Sequence, residues 1–278
     1  MDEKYIEQII DAVMAELKNA AANNVPPAKE TPPGKPFSAS SELPADPQSL
    51  DRMKGKTSAR IGVGRAGPRL RTKTLLDLRA DHAAARDAAF LDVDTAFLDS
   101  LGLFSVRSSC ADKNEYLTRP DLGRELGDEA RAEIKQKCAA APDVQIFAAD
   151  GLSSRAIEAN LRDLLPALTE GLRAQGVKTG TAFFVKYGRV GVMDQVSEIT
   201  NAKVTCVLIG ERPGLGSAES LSAYIAYGAR PGMPEANRTV VSNIYSGGTP
   251  AVEAGAYLAD VIANILKMKA SGVNLHDR

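Results

Sequence analysis

The chain has 278 residues, enough to bury a core without disulfide or metal staples. Its 34 basic and 35 acidic side chains nearly cancel, which argues against the global field that recruits nucleic acid or an anionic membrane surface. Three scattered cysteines, Cys110, Cys138 and Cys206, are an odd number without zinc-ligand spacing, and they suit reduced thiols in a cytoplasm.

Residues 3–18 place Ile6, Ile9, Ile10, Val13, Met14 and Leu17 at three- and four-residue spacing, which predicts a short amphipathic helix. The opening MDEKYIEQ lacks the basic and apolar blocks of a signal peptide. Nothing approaches the roughly 20 continuous apolar residues of a membrane span, so a soluble, cytoplasmic protein is expected. Residues 20–50 hold prolines 26, 27, 32, 33, 36, 44 and 47 with few large apolar side chains. Such a segment cannot offset its ordering entropy and is expected to be an extended tether, to about residue 56. A helix of about four turns is marginal alone in water. Its apolar stripe therefore folds back on this chain or docks on another protein.

A body begins near residue 57. Arg60, Arg65, Arg69, Arg71 and Lys73 lie among Gly62, Gly64, Gly67 and Pro68, which predicts a loop. That basic stretch is either a solvated face or a surface that meets acidic groups or phosphates. Helices are expected over Thr72–Phe90 and Gly123–Cys138, making 57–141 a mainly helical domain. From 142 to 278 short apolar runs alternate with helical patterns. Strands are expected at Val144–Ala149, Thr181–Lys186, Lys203–Ile209 and Thr239–Ile244, each apolar on both faces. Helices are expected around Ile157–Leu172, where Pro166 marks a kink or the first turn of a second helix, and over Met193–Ile199, Ala218–Tyr227 and Ala251–Met268. This order predicts an α/β fold, a parallel, Rossmann-like sheet with helices on both faces.

Ligands of such sheets bind at the carboxyl ends of strands. Those ends read Asp150-Gly151-Leu152-Ser153-Ser154, Tyr187-Gly188-Arg189-Val190, Gly210-Glu211-Arg212-Pro213-Gly214-Leu215-Gly216 and Ser246-Gly247-Gly248-Thr249-Pro250. For any one loop, ordinary turn and cap chemistry explains these residues. Four together point to a surface for a large polar ligand. Neither GxxxxGK[ST] nor a GxGxxG joined to a first strand is present, which argues against a nucleotide triphosphatase or a standard NAD enzyme. Glu211 is a helix cap, an ion-pair partner of Arg212, or a carboxylate that accepts a hydrogen bond from a ligand amide. His82 and His276 lie far from these loops in sequence, and no cysteine has a histidine partner, so acid–base machinery is thin. No metal site and no catalytic group on this chain are expected, and the chemistry falls to a cofactor and a partner chain.

CADKNEYLTRPDLGR (110–124), DGLSS (150–154), FFVKYGRV (183–190), GERPGLGSAESLS (210–222), SNIYSGGTP (242–250) and KASGVNL (269–275) occur in this order. Together they resemble the small, or light, chain of ethanolamine ammonia-lyase, from about residue 57 to the end. The resemblance implies a non-catalytic subunit that covers adenosylcobalamin against a large catalytic subunit, a (β/α)₈ barrel, in a hetero-oligomer of six copies of each chain. It implies cobalamin contacts at Val190, Glu211 and Val240. Members of the family can have cysteine at the last position, and the valine here leaves only a backbone contact. The helix and tether over residues 1–19 and 20–56 resemble the extension that directs such enzymes into the ethanolamine-utilisation microcompartment. DxHxxG, whose histidine replaces the cobalt-bound benzimidazole, is absent, since His82 follows Asp81 directly. That agrees with the base-on cofactor that the resemblance implies. A self-sufficient α/β nucleotide-binding enzyme and a structural adaptor of a compartment shell are the alternatives.

Overall fold

The computed structural model describes residues 46–57 and 59–275. The amphipathic helix expected near the N-terminus lies outside these residues, as do most of the tether and His276. The end of the expected tether is helical: α1, Pro47–Lys54, starts beside Asp46, whose carboxylate accepts the Ser49 N–H at 2.9 Å. Pro47 occupies the first helical position, where its missing N–H costs nothing.

The arginine-rich stretch is a loop, as its glycines and proline predict. It carries a two-residue-arm hairpin, β1 (Arg65–Ala66) and β2 (Arg69–Leu70), turning through Gly67 at φ +62°. Helix α2 follows over Thr72–Phe90, then α3, Thr95–Ser100, capped by the Asp94 carboxylate on Ala96 N–H. Strand β3, Phe104–Arg107, was not foreseen. It is four residues long and follows directly on a helix, so its pattern is too short to declare a period. Helix α4, Lys113–Thr118, starts at an Asp112 cap. The helix expected over 123–138 is shorter: a 3₁₀ turn, Leu122–Arg124, precedes α5, Asp128–Lys137. Asp128 and Glu129 in its first turn and Lys135 and Lys137 in its last match the helix dipole.

The second half runs β4 (Val144–Ala149), α6 (Ser154–Ala174), β5 (Phe183–Lys186), α7 (Val192–Thr200), β6 (Val204–Gly210), β7 (Leu221–Tyr227), β8 (Thr239–Ile244) and α8 (Ala251–Met268). Pro166 does not divide α6. It faces solvent, where the carbonyl that loses its partner can be hydrated.

The six strands form one sheet in the order β3-β5-β4-β6-β7-β8. The β3–β5, β5–β4 and β4–β6 pairs are parallel, whereas β6–β7 and β7–β8 are antiparallel. The sheet is thus mixed and mainly parallel, not wholly parallel as expected. The cause is Leu221–Tyr227, expected as part of a helix and found as a strand. LSAYIAY is apolar almost throughout, and such a run has no period that separates helix from strand. The chain between β6 and β7 also carries no helix, and a parallel return needs a crossover of a dozen or more residues. Two reversals leave β8 running in the direction of β6. Strand β8 is not buried on both faces either, since Val240, Ser242 and Asn243 are exposed on this edge strand.

Helices do cover both faces. One core joins α6 and α8 to the sheet through Leu161, Leu164, Leu168, Leu258, Ile262 and Ile265. The other joins α5 and α7 through Ile134, Val192, Met193 and Val196 to Phe147, Val185 and Val207. α6 and α8 approach closely at Gly255, where an added Cβ would sit 2.7 Å from Ala167 Cβ and 2.9 Å from the Leu164 carbonyl oxygen. Replacing Gly255 by Val overpacks this contact and is expected to cost about 1–3 kcal/mol, read as a lower urea midpoint at unchanged slope.

Candidate functional site

Two layers of structure surround the strand ends: a buried polar cluster beneath, and a partly open face beside it. The first of the four loops belongs to the cluster, because Asp150, Gly151, Ser153 and Ser154 are buried. Gly151 has φ +54°, and a side chain there would collide with the Gly210 carbonyl oxygen. Leu152 N–H donates to that same oxygen at 3.0 Å. Ser153 caps α6 by accepting from Ala156 N–H at 3.1 Å, and its hydroxyl donates to the Ala218 carbonyl at 2.6 Å. Gly151 and Gly210 therefore bring two loops together, where the sequence suggested approach to a ligand.

The Asp150 side chain lies at the centre of the cluster, 1% exposed. Its Oδ1 accepts the Gly188 N–H at 3.2 Å, and its Oδ2 lies 3.6 Å from Lys113 Nζ. Lys113 also faces Asp92 at 4.0 Å, and Asp92 pairs with Lys186 at 2.7 Å and accepts from the Tyr187 hydroxyl at 3.2 Å. The Tyr116 hydroxyl donates to the Gly151 carbonyl at 2.6 Å, while the Tyr116 and Tyr187 rings stack at 5.7 Å. Desolvation pushes the Asp150 carboxyl up to about 7, against the pull of Lys113. The same burial, with the Asp150 charge added, pushes the Tyr116 phenol well above its ordinary value.

Val190 follows this cluster at the entrance to α7. It is half-buried and packs on the α5/α7 core, and its carbonyl accepts the Met193 N–H at 3.1 Å. Glu211 is the first residue beyond β6. It is half-buried and pairs with neither Arg212 nor a helix: its Oε1 accepts from the Tyr224 hydroxyl at 3.2 Å. Its second carboxylate oxygen takes no hydrogen bond among the described residues. Burial and then the Glu211 charge push the Tyr224 phenol up to about 12. Tyr224 stands opposite Val207 on one side and Val240 on the other. Directly opposed residues share a face of a sheet, so Val240 lies on the face that carries Tyr224. It is 45% exposed, because α7 covers β6 and stops short of β8. Val190, Glu211 and Val240 therefore all belong to the α7 side of the sheet.

Two features hold β8 in place there. Arg238, whose side chain is 1% exposed, donates to both Asp194 oxygens at 3.0 and 2.9 Å and pairs with Glu235. This ties the residue before β8 to α7. Asn243, at φ +65°, lies where the β7–β8 register shifts, a β-bulge position that asparagine tolerates in the left-handed region. A cleft of about 300 Å³ lined by Arg124, Gly191, Asp194, Met233 and Arg238 opens between the start of α7 and the segment before β8.

Tyr224, the Asp150–Lys113–Asp92 cluster and the Arg238–Asp194 pair did not emerge from the sequence as sites. Tyr224 was hidden in an expected helix, and pairs separated by dozens of residues leave no spacing signal. His82 is exposed on α2. Among the described residues no helix is long and apolar enough to cross a membrane, and no group of three or more His, Cys, Asp or Glu could hold a metal ion.

Burial of Asp150 makes the stability of the fold depend on pH. A carboxyl near 3.8 when unfolded and about 7 when folded binds its proton more tightly in the fold. Its contribution is complete below about pH 4 and is lost as pH rises through 7. The stability of the protein relative to Asp150→Asn should fall across that window and level off above it, measured by chemical denaturation from pH 4.5 to 8.5. A difference independent of pH would mean that Asp150 is ionised throughout.

Residues 47–276 match the family model described as Ethanolamine ammonia-lyase light chain (EutC). The chain is 58% identical over 224 residues to the ethanolamine ammonia-lyase small subunit of Fusobacterium nucleatum, covering 81% of this chain and 76% of that protein. It is 55% identical over 232 residues to the small subunit of Clostridium tetani, covering 84% and 79%. With the small subunit of Listeria innocua it shares 52% over 232 residues, covering 84% and 79%. A family match across most of the body and identities above one half on chains of similar extent leave one assignment: this chain belongs to the ethanolamine ammonia-lyase small-subunit family, and is a subunit of a carbon–nitrogen lyase.

Proposed function

We propose that this chain holds adenosylcobalamin, base-on, against the large subunit through the α7 side of its sheet, with Val190, Glu211 and Val240 as contacts. When bound, that cofactor supplies the radical chemistry by which ethanolamine becomes acetaldehyde and ammonia. The observation that carries the assignment of the face is Glu211. One of its oxygens is occupied by Tyr224 and the other takes no hydrogen bond among the described residues. A carboxylate oxygen at a strand end, oriented by a tyrosine, suits a corrin side-chain amide, which has N–H groups to donate. Val240 offers an exposed apolar side chain on an edge strand. Some backbone groups of an edge strand have no ladder partner, so a backbone contact survives the absence of a cysteine. Val190, half-buried at the start of α7, adds an apolar contact. These groups orient and cover a large amide-rich ligand, and none of them is a nitrogen ligand for cobalt.

The large subunit completes the site and supplies the catalytic groups, in an assembly of six copies of each chain. Helix α2 supports docking on a partner: of its 19 residues only Ala88 is buried, and Leu76 and Phe90 are 57% and 50% exposed. The neighbouring Arg65 and Arg69 are exposed as well, which favours an acidic counterpart. Residues 1–19 address the enzyme to the ethanolamine-utilisation microcompartment in the cytoplasm.

Glu211→Gln keeps the Tyr224 hydrogen bond but replaces the free carboxylate by an amide. In the reconstituted two-subunit enzyme it should weaken adenosylcobalamin binding by about tenfold, the worth of one charge-assisted hydrogen bond, with assembly unchanged. Equal affinity would remove Glu211 from the contact. Deleting residues 1–20 should leave deamination in solution intact and abolish co-purification with compartment shells. Normal encapsulation of the shortened chain would refute the addressing role.

A further inference from the structure

The turn that carries Val190 is held in an unfavourable backbone state, and the residues that hold it are buried. Tyr187, just past β5, has φ +58°, a left-handed conformation that a bulky aromatic residue rarely adopts. Such a state persists only where its surroundings over-determine it. Here they do so from three elements. From the end of β4, Asp150 Oδ1 accepts the Gly188 N–H at 3.2 Å. From α4, the Tyr116 ring stacks on Tyr187, and its carbonyl accepts from the Arg189 guanidinium at 2.8 Å. From the 3₁₀ turn, the Gly123 carbonyl accepts the Arg189 N–H at 2.7 Å. Lys113 Nζ lies 5.5 and 5.4 Å from the centres of the Tyr116 and Tyr187 rings, and 3.6 Å from Asp150 Oδ2. Residues 187–189 thus have little freedom, and Val190 is the first residue beyond them to reach the partly open face.

We propose that Asp150 is a positioning residue for the cofactor: by holding Gly188 N–H it fixes the Tyr187–Arg189 turn, and so the place of Val190, before cobalamin arrives. The inference rests on Val190 being a cobalamin contact. Burying an acid is costly unless its oxygens are paired, and Asp150 takes its partners from this turn and from Lys113. Its presence is explained if the turn must be preorganised, because a contact that orders itself only on binding loses affinity to that ordering. Glu211 does not depend on this device. It stands on the β6–β7 connection and is oriented by Tyr224, outside the hydrogen bonds that hold the turn.

The test uses the two-subunit enzyme and adenosylcobalamin, with affinity from the absorbance change on binding and assembly from sedimentation. Asp150→Ala should weaken cobalamin binding by about tenfold while the subunits still assemble. Asp150→Asn retains an oxygen that can accept from Gly188 and should remain within about twofold of the native affinity. Val190→Gly should weaken binding in the native background but have less than about twofold further effect in Asp150→Ala, whereas Glu211→Gln should keep its full effect in both. If Asp150→Ala fails to fold, Asp150→Ser, whose shorter side chain does not reach Gly188, takes its place with the same expectation. Hydrogen exchange gives a second readout, with the amides of 187–190 exchanging at least tenfold faster in the Ala or Ser variant and those of α6 unchanged. Native affinity or unchanged exchange at 187–190 in those variants overturns the proposal, as does an Asn variant as weak as Ala. If Glu211→Gln binds cobalamin normally but Asp150→Ala does not, the Glu211 contact fails and the positioning role stands. Loss at Glu211 without loss at Asp150 overturns the positioning role and leaves the Glu211 contact in place.

Discussion

The length of the connection after β6 governs the shape of the face that carries Val190, Glu211 and Val240. Strand β6 is buried along all of Val204–Gly210, with a parallel neighbour on one side. The residues that follow form a tight excursion in which Glu211 N–H donates to the Ser220 carbonyl at 3.0 Å, leaving no room for a crossover helix. The chain must return antiparallel. That reversal places β8 beyond the reach of α7, so on one side of the sheet Val240 is not roofed. α8 roofs the other side through Leu258 and Ile262. Had the helices on that side reached as far as β8, the sheet would have had no such surface to offer.

Ion pairs and close backbone contacts then fix what that reversal exposes. The Arg238–Asp194 pair links the start of β8 to α7, and its energetic meaning lies in what happens when one partner goes. Removing Arg238 leaves the Asp194 carboxylate without its partner, a loss of about 3–5 kcal/mol, although the intact pair adds little over an apolar substitute, whereas removing Asp194 leaves Arg238 its bond to Glu235. Ser271 performs a quieter version of the same task, its hydroxyl donating to the Asn237 carbonyl at 2.5 Å while accepting the Tyr227 N–H at 3.0 Å. The KASGVNL motif near the end of the chain is in this way a clasp on the segment that leads into β8. Gly151 and Gly210 do comparable work between the ends of β4 and β6.

Much of this was legible in the sequence where one period dominates. Thr72–Phe90 and Ala251–Met268 end where their patterns end, and Val144–Ala149 and Thr239–Ile244 have the bounds expected of them. Leu221–Tyr227 failed because a run that is apolar almost throughout shows neither the helix nor the strand period. Phe104–Arg107 failed because four residues declare no period. The alternatives for Glu211 could not be decided from its neighbours in sequence, since its partner Tyr224 stands on the next strand.

The sequence by itself determined the class of fold, the run of glycine and hydroxyl residues at strand ends, and, through ordered motifs, the family. These are local or collinear properties, written in the spacing of side chains along one chain. Only the tertiary structure decided that Asp150 is buried and faces Lys113, that Tyr224 orients Glu211, and that Val240 stands on an open face. Each of those depends on strand order and direction, which are set by the length of a connection and by competition among neighbours for the same hydrogen bonds. Spacing along the chain carries no record of them.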